Sequence, residues 1–167
     1  MRLLVVRHAI AGDRDAFAAS GQDDGLRPVT TAGARKMKRG VRGLRWLVPS
    51  IDLLAASPLT RAAETAEIIR AEYGLDAVVT VRELAPGRAV DEVARWLATT
   101  SDRIVAIVGH EPQLGRLVSF LLAAGDKPAV DLKKGAACLL EVASDATEGS
   151  ARLVWSLPPR VLRRVGA

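Results

Sequence analysis

Two short apolar runs constrain the fold of this chain more than any other feature. The first is Leu3 to Val6, and Arg7 and His8 follow it at once. The second is Ile104 to Val108, and it ends in Gly109-His110-Glu111-Pro112. Apolar runs of this length, rich in β-branched residues and without polar alternation, suit strands buried on both faces of a parallel sheet. In open α/β sheets, ligands collect outside the carboxyl ends of the strands. His8 and His110 are the only two histidines in the chain, and both stand at such an end. One histidine there reads as a surface imidazole; two in matching places point to a shared site.

The intervening sequence supplies the helices such a sheet requires. Residues 10–29 read as a loop, punctuated by Gly12, Gly21, Gly25 and Pro28 and rich in aspartate. It leaves the Arg7-His8 edge directly, which makes it a candidate rim or lid. Thr30 or Thr31 caps the next helix, where Ala34, Met37, Val41 and Leu44 recur at helical spacing, and Pro49 ends the segment. Ile51 to Ala56 reads as a second strand. Ser57-Pro58 then reads as a helix start, with serine as cap and proline in the first turn; the helix runs to about Tyr73, and Gly74 ends it. Arg61 lies in its first turn, where free N–H groups already favour anions; the plain alternative is a surface arginine paired with Glu64. Ala77 to Val81 reads as a short strand, Ala89 to Leu97 as a helix, and Pro112 opens an amphipathic helix ended by Gly125. Ala136 to Val142 and Ala151 to Trp155 read as an antiparallel edge pair, and the basic tail from Pro158 as a surface segment. The alternation of strand and helix predicts a single α/β domain over 1–167, a three-layer sandwich with a mainly parallel central sheet and helices on both faces.

Composition narrows the setting. The 167 residues are 49% hydrophobic, enough for one domain with a sizeable core. The single cysteine, Cys138, excludes an internal disulfide and reads as a small core residue. The apolar start is broken by Arg7 and His8, too early for a signal peptide, and no run reaches membrane-spanning length. A cytoplasmic protein without a membrane partner is expected. The net charge is +5, but aromatic residues make up only 4% of the chain, so stacking platforms for nucleic acid are not expected. The basic helix faces read as solvated surface.

The constellation at the sheet edge carries the chemistry. Arg7, His8, Arg61 and His110 come from three separate elements. Guanidinium forks match phosphate oxygens in bidentate geometry. A neutral imidazole can act as nucleophile, and a second one, if protonated, stabilises charge during in-line transfer. Zinc is the rival for two histidines, but it requires further ligands and disfavours adjacent cations. No metal and no cofactor are expected.

Val5-Val6-Arg7-His8-Ala9, the stretch Ser57-Pro58-Leu59-Thr60-Arg61-Ala62-Ala63-Glu64-Thr65, and Val108-Gly109-His110-Glu111-Pro112 together resemble the histidine phosphatase superfamily, which includes the phosphoglycerate mutases. The usual first motif is Arg-His-Gly; here Ala9 replaces the glycine. Arg27-Pro28-Val29-Thr30, Glu83-Leu84-Ala85-Pro86-Gly87 and Trp155 are similar to the small SixA-type phosphohistidine phosphatases. The resemblance implies a phosphoglycerate mutase-like fold and a hydrolase that works through a phosphohistidine intermediate. His8 would be the nucleophile, with Arg7, Arg61 and His110 binding the transferred group. Glu83 follows a strand in the region where larger relatives place a carboxylate, so it is the expected proton donor, ahead of Asp13 and Glu111. The implied substrate is a protein phosphohistidine, such as that of a histidine phosphotransfer domain. The alternatives are a small phosphomonoester or a non-catalytic phosphate-binding module.

Overall fold

The computed structural model describes residues 1–123 and 128–167. Six strands form one sheet: β1 (Arg2–Arg7), β2 (Leu53–Ala56), β3 (Val79–Thr80), β4 (Ile104–Gly109), β5 (Ala137–Val142) and β6 (Ala151–Leu157). Their order across the sheet is β3-β2-β4-β1-β5-β6. The first four run parallel, and β5 and β6 complete the sheet as antiparallel neighbours. The α-helices among the described residues are α1 (Arg14–Ala19), α2 (Thr31–Leu47), α3 (Thr60–Tyr73), α4 (Val90–Ala98), α5 (Gln113–Leu121) and α6 (Pro159–Val165).

The apolar run in β1 divides between the two faces of the sheet, because successive side chains of a strand point to opposite sides. Leu3 and Val5 join Val105, Ile107, Val93, Leu97, Leu117 and Leu121 in one core, beneath α4 and α5. Leu4 and Val6 join Leu54, Val108, Met37, Val41, Ile69 and Leu162 in the other, beneath α2, α3 and α6. All four β1 residues from Leu3 to Val6 have no exposure. Each such side chain contributes roughly 1.5–3 kcal/mol on burial, so the central strands are the least deformable part of the molecule. This is the expected three-layer α/β sandwich. Cys138 lies in the core, and burial pushes its thiol up to about 12.

Four expectations need correction. Residues 10–29 are not uniformly irregular: Asp13 caps the six-residue α1 by accepting from the Ala16 N–H at 2.9 Å, and Asp24–Leu26 form a 3-10 turn. No residue of α1 is buried, so it shows no apolar periodicity. Ser57 does not cap α3, which begins at Thr60 after Leu59. The third strand shrinks to two residues, both exposed. The tail is not a free surface segment: α6 buries Leu162 against α2. Its backbone comes so close to α2 that a Cβ at Gly43 would collide with the Leu162 carbonyl oxygen. The expected helix end at Gly125 lies outside the described residues. Gly74 does end α3, at φ +68°, and Thr30 does cap α2, accepting from the Gly33 N–H at 2.9 Å.

Candidate active site

Strand register brings the histidines together. In the parallel pair β1–β4, Arg7 lies opposite Gly109, so His8 and His110 leave the sheet side by side. The His8 N–H donates to the Gly109 carbonyl at 3.1 Å, which extends the ladder one residue past the strand. The ring centroids are 5.0 Å apart, with the planes tilted by 52°. On the other side of β4, the Ser57 N–H donates to the Val108 carbonyl at 3.0 Å, and the Ser57 hydroxyl then lies 2.8 Å from His110 Nε2. Ser57 reads in sequence as a helix cap; its place beside His110 follows from tertiary pairing.

The His8 ring has a defined orientation. Its Nδ1 lies 2.7 Å from the Ala9 carbonyl oxygen. A carbonyl only accepts, so Nδ1 carries the hydrogen, and in the neutral ring Nε2 holds a lone pair. The Ala9 N–H donates to Thr65 Oγ1 at 2.9 Å, and Thr65 donates to the Arg61 carbonyl at 2.6 Å. The turn after β1 is thereby tied to the first turns of α3. Among the described residues, the only non-glycine positions with positive φ are Ala123 and Ala146. Ala9 therefore needs no glycine-like conformation, and its departure from Arg-His-Gly leaves the turn unstrained.

Arg7 and Arg61 flank the two rings. Arg7 Nη1 donates to the Leu132 carbonyl at 2.6 Å. Arg61 is 3% exposed; its Nη1 donates to the Asp24 carbonyl at 2.9 Å and its Nη2 lies 3.2 Å from Asp24 Oδ2. The Arg61–Glu64 pairing weighed from sequence does not form, because Glu64 accepts the Val29 N–H at 2.6 Å. Among the described residues, three buried nitrogens in this cluster have no protein partner: Arg7 Nε, Arg61 Nε and His110 Nδ1. Buried polar groups are nearly always satisfied, so three unmet positions on neighbouring side chains mark a place built for an acceptor. Together with His8 these residues line a cavity of about 530 Å³, walled further by Gly12, Asp13, Arg14, Arg27, Pro86, Glu111 and Lys134. A larger cleft of about 1060 Å³ opens at the opposite edge of the sheet, around Met1, Asp52, Asp102 and Glu141; neither imidazole nor the two site arginines line it.

No protein-family model matches the chain. An uncharacterized protein of Picosynechococcus is 34% identical over 138 residues, spanning 80% of this chain and 81% of that one. The phosphohistidine phosphatase SixA of Escherichia coli is 27% identical over 171 residues, spanning 100% of this chain and 99% of the relative. A solved structure of the protein histidine phosphatase SixA complexed with tungstate superposes with a TM-score of 0.83 at 23% identity, spanning 97% of this chain and 99% of the other.

The named proteins that this chain is similar to are SixA-type members of the histidine phosphatase superfamily. The shared fold is a phosphoglycerate mutase-like α/β sandwich, and the phosphatases among these similar proteins support a hydrolase of the phosphatase class.

The electrostatics of the site keep both rings neutral near pH 7. Burial is the largest influence on each. It lowers the His8 pKa to about 4, with the Arg61, Arg7 and Lys134 charges adding to the shift and the Ala9 carbonyl opposing it. His110 is lowered to about 3 by burial, by His8 and by the same two arginines. The condition set for the second imidazole, that it be protonated, is disfavoured here: burial, His8, Arg61 and Arg7 all oppose the charge, and Asp24 favours it.

Residues 10–29 form one wall. Arg27, 5% exposed, donates from Nε to Asp24 Oδ1 at 2.7 Å and from Nη1 to the Gly12 carbonyl at 2.8 Å. Asp24 therefore holds two arginines at once, and its carboxyl sits below the usual range, first through the Arg27 hydrogen bond and then through the Arg61 charge. Neither Asp24 nor its link to Arg61 was foreseeable in sequence; a glycine- and aspartate-rich loop gives no sign of which aspartate turns inward.

The carboxylates expected to supply a proton fare differently. Glu83 stands on a 3-10 turn, Arg82–Leu84, whose Leu84 enters the core. Its carbonyl accepts from Gln113 Nε2 at 2.7 Å, and Pro86, not Glu83, forms the cavity wall. Asp13 and Glu111 both line the cavity. Asp13 caps α1, while Glu111 accepts the Gly115 and Leu132 N–H groups at 3.1 and 3.0 Å. Among the described residues, no helix is long and apolar enough to cross a membrane.

Proposed function

We propose that this phosphatase works without a metal, transfers the phosphoryl group of a protein phosphohistidine to its own His8, and then hydrolyses it. The observation that carries this reading is the set of three unpartnered nitrogens, Arg7 Nε, Arg61 Nε and His110 Nδ1, beside a neutral His8 whose Nδ1 is fixed by Ala9. The ring nitrogen left to react is Nε2. Two guanidinium groups beside the rings supply the charge that a divalent ion would otherwise bring, and they oppose cation binding.

In the first step the Nε2 lone pair attacks phosphorus and the bond to the leaving nitrogen breaks. A phosphohistidine protonated on its other ring nitrogen departs as a neutral imidazole, so this step needs no strong acid from the enzyme. That suits a cavity from whose lining Glu83 is absent and in which Glu111 is engaged by backbone N–H groups. Arg7, Arg61 and His110 hold the equatorial oxygens as charge redistributes. With its hydrogen on Nδ1, His110 accepts from the Ser57 hydroxyl through Nε2 and donates to a phosphoryl oxygen. In the second step water attacks phosphorus, the phosphorus–Nε2 bond breaks, and inorganic phosphate leaves with His8 restored.

The test is a substrate panel of a phosphohistidine protein, an aryl phosphate and common alkyl phosphates, each with and without a chelator. The expected result is chelator-insensitive turnover that favours the phosphohistidine. A clear preference for alkyl esters moves the assignment to a small-molecule phosphomonoesterase, and absence of turnover on every substrate to a phosphate-binding module.

A further inference from the structure

One side of the phosphoryl cavity continues outward as a basic strip. Lys134, at its edge, also lines a shallow crevice whose other cations are Lys36 of α2 and Arg163 of α6, over a floor that includes Ala9, Gly33 and Gly135. No carboxylate lines this crevice. Lys36 and Lys134 are exposed and Arg163 is half-buried. Elsewhere on α2, Lys38 and Arg42 both pair with Glu72, at 3.3 and 3.5 Å. Among the described residues, no ion pair forms at Lys36, Lys134 or Arg163. Three elements thus bring unpaired positive charge to one surface, and that surface begins where the phosphoryl group would be bound.

We propose that Lys134, Lys36 and Arg163 form a docking strip for carboxylates flanking the phosphorylated side chain, so that the enzyme selects acidic phosphoproteins. This inference rests on reading the cavity as the phosphoryl site. Charge complementarity identifies the partner: like-signed cations without local counter-ions raise the local concentration of an anionic surface and orient it on approach. A protein is favoured over nucleic acid because the crevice has no aromatic side chain on which a base could stack. The strip's continuity with the cavity also matches one polypeptide carrying both the phosphoryl group and the flanking acids. Small phosphoesters, confined to the cavity, would not reach Lys36 or Arg163.

Steady-state rates on two phosphohistidine peptides, identical except for flanking Glu or flanking Lys, test this alongside an aryl phosphate. The expected result is a kcat/KM about tenfold higher for the Glu-flanked peptide at low salt, falling toward parity as salt is added. The K36E/R163E variant should abolish or invert that ratio while its aryl phosphate turnover stays at the level of the unmodified enzyme. K36E alone, on an exposed helix position, should give a partial loss of about threefold and guards against misfolding at the half-buried Arg163. Equal rates on the two peptides, or a ratio that survives in K36E/R163E, overturn the strip and leave the phosphatase reading intact. Failure of the unmodified enzyme on the aryl phosphate and both peptides overturns both. A variant that loses affinity for single-stranded DNA but keeps the peptide ratio assigns the strip to nucleic acid and overturns the proposal.

Discussion

The floor and the wall of the cavity are built on different principles. The floor is backbone work: His8 and His110 follow paired strands in register, Ser57 is tied to the same ladder, and Ala9 is pinned to Thr65. Both rings are nearly inaccessible, at 5% and 3%. The wall formed by residues 10–29 is side-chain work. It has a short helix without a buried residue, and it reaches the floor and α3 through Asp24, whose side chain is 45% exposed, and through the Val29 N–H on Glu64. Each Asp24 ion pair has one exposed partner, so solvent screening discounts its strength. The comparison teaches that the groups assigned to chemistry sit on backbone-paired strand ends, while the wall beside them reaches the floor through side-chain contacts.

The sharpest way to break this contrast is at the floor. His8→Ala should lower turnover by at least about 10³-fold, because the proposed intermediate forms on its Nε2. Its thermal melt should still show a cooperative transition; full turnover would remove His8 as the nucleophile. Arg61→Ala should reduce kcat/KM by about 10²–10³-fold and weaken inhibition by inorganic phosphate in step. A change confined to KM would make Arg61 a binding group only.

The neutrality of the two rings gives a third test. NMR titration should place the His8 and His110 midpoints near 4 and 3, about 10²-fold or more below an ordinary imidazole in proton affinity. The stability consequence has a definite sign. Between those values and the unfolded histidine range near 6.5, the unfolded chain binds more protons. The stabilising contribution is therefore fully present above about pH 6.5 and is lost as pH falls toward about 4 and then 3. Urea midpoints at about pH 7 and about pH 5 should differ in that direction, and the difference should narrow in His8→Ala. The smallest effect belongs to the wall. Asp24→Asn should tighten inorganic phosphate by about threefold, since the carboxylate competes with an anion for Arg61. A tenfold loss of affinity would instead make the wall part of the grip.

What could be read in the sequence follows the same division. The strand ends were legible because uninterrupted apolar runs marked where each strand stops, and the histidines follow immediately. Arg61 was legible through the helix start and its motif. Ser57 was misread because serine before proline is also an ordinary helix cap, and only the pairing of β2 with β4 brings its hydroxyl to His110. The link from Asp24 to Arg61 spans 37 residues and depends on a turn without periodicity. The docked α6 was hidden because its arginines dominate the composition, whereas its packing depends on Leu162 meeting an α2 glycine.

The register of β1 on β4 also matters for anyone who wishes to rebuild this protein. A hydrogen-bonded ladder, not a jigsaw of core side chains, spaces the two imidazoles. The outer faces of α2, α4 and α6 can therefore be resurfaced with little disturbance of the two rings, whereas α3 holds the turn after β1 through Thr65 and must stay. A single residue inserted into either strand would shift one ring along the sheet by about 3.3 Å and turn it toward the opposite layer.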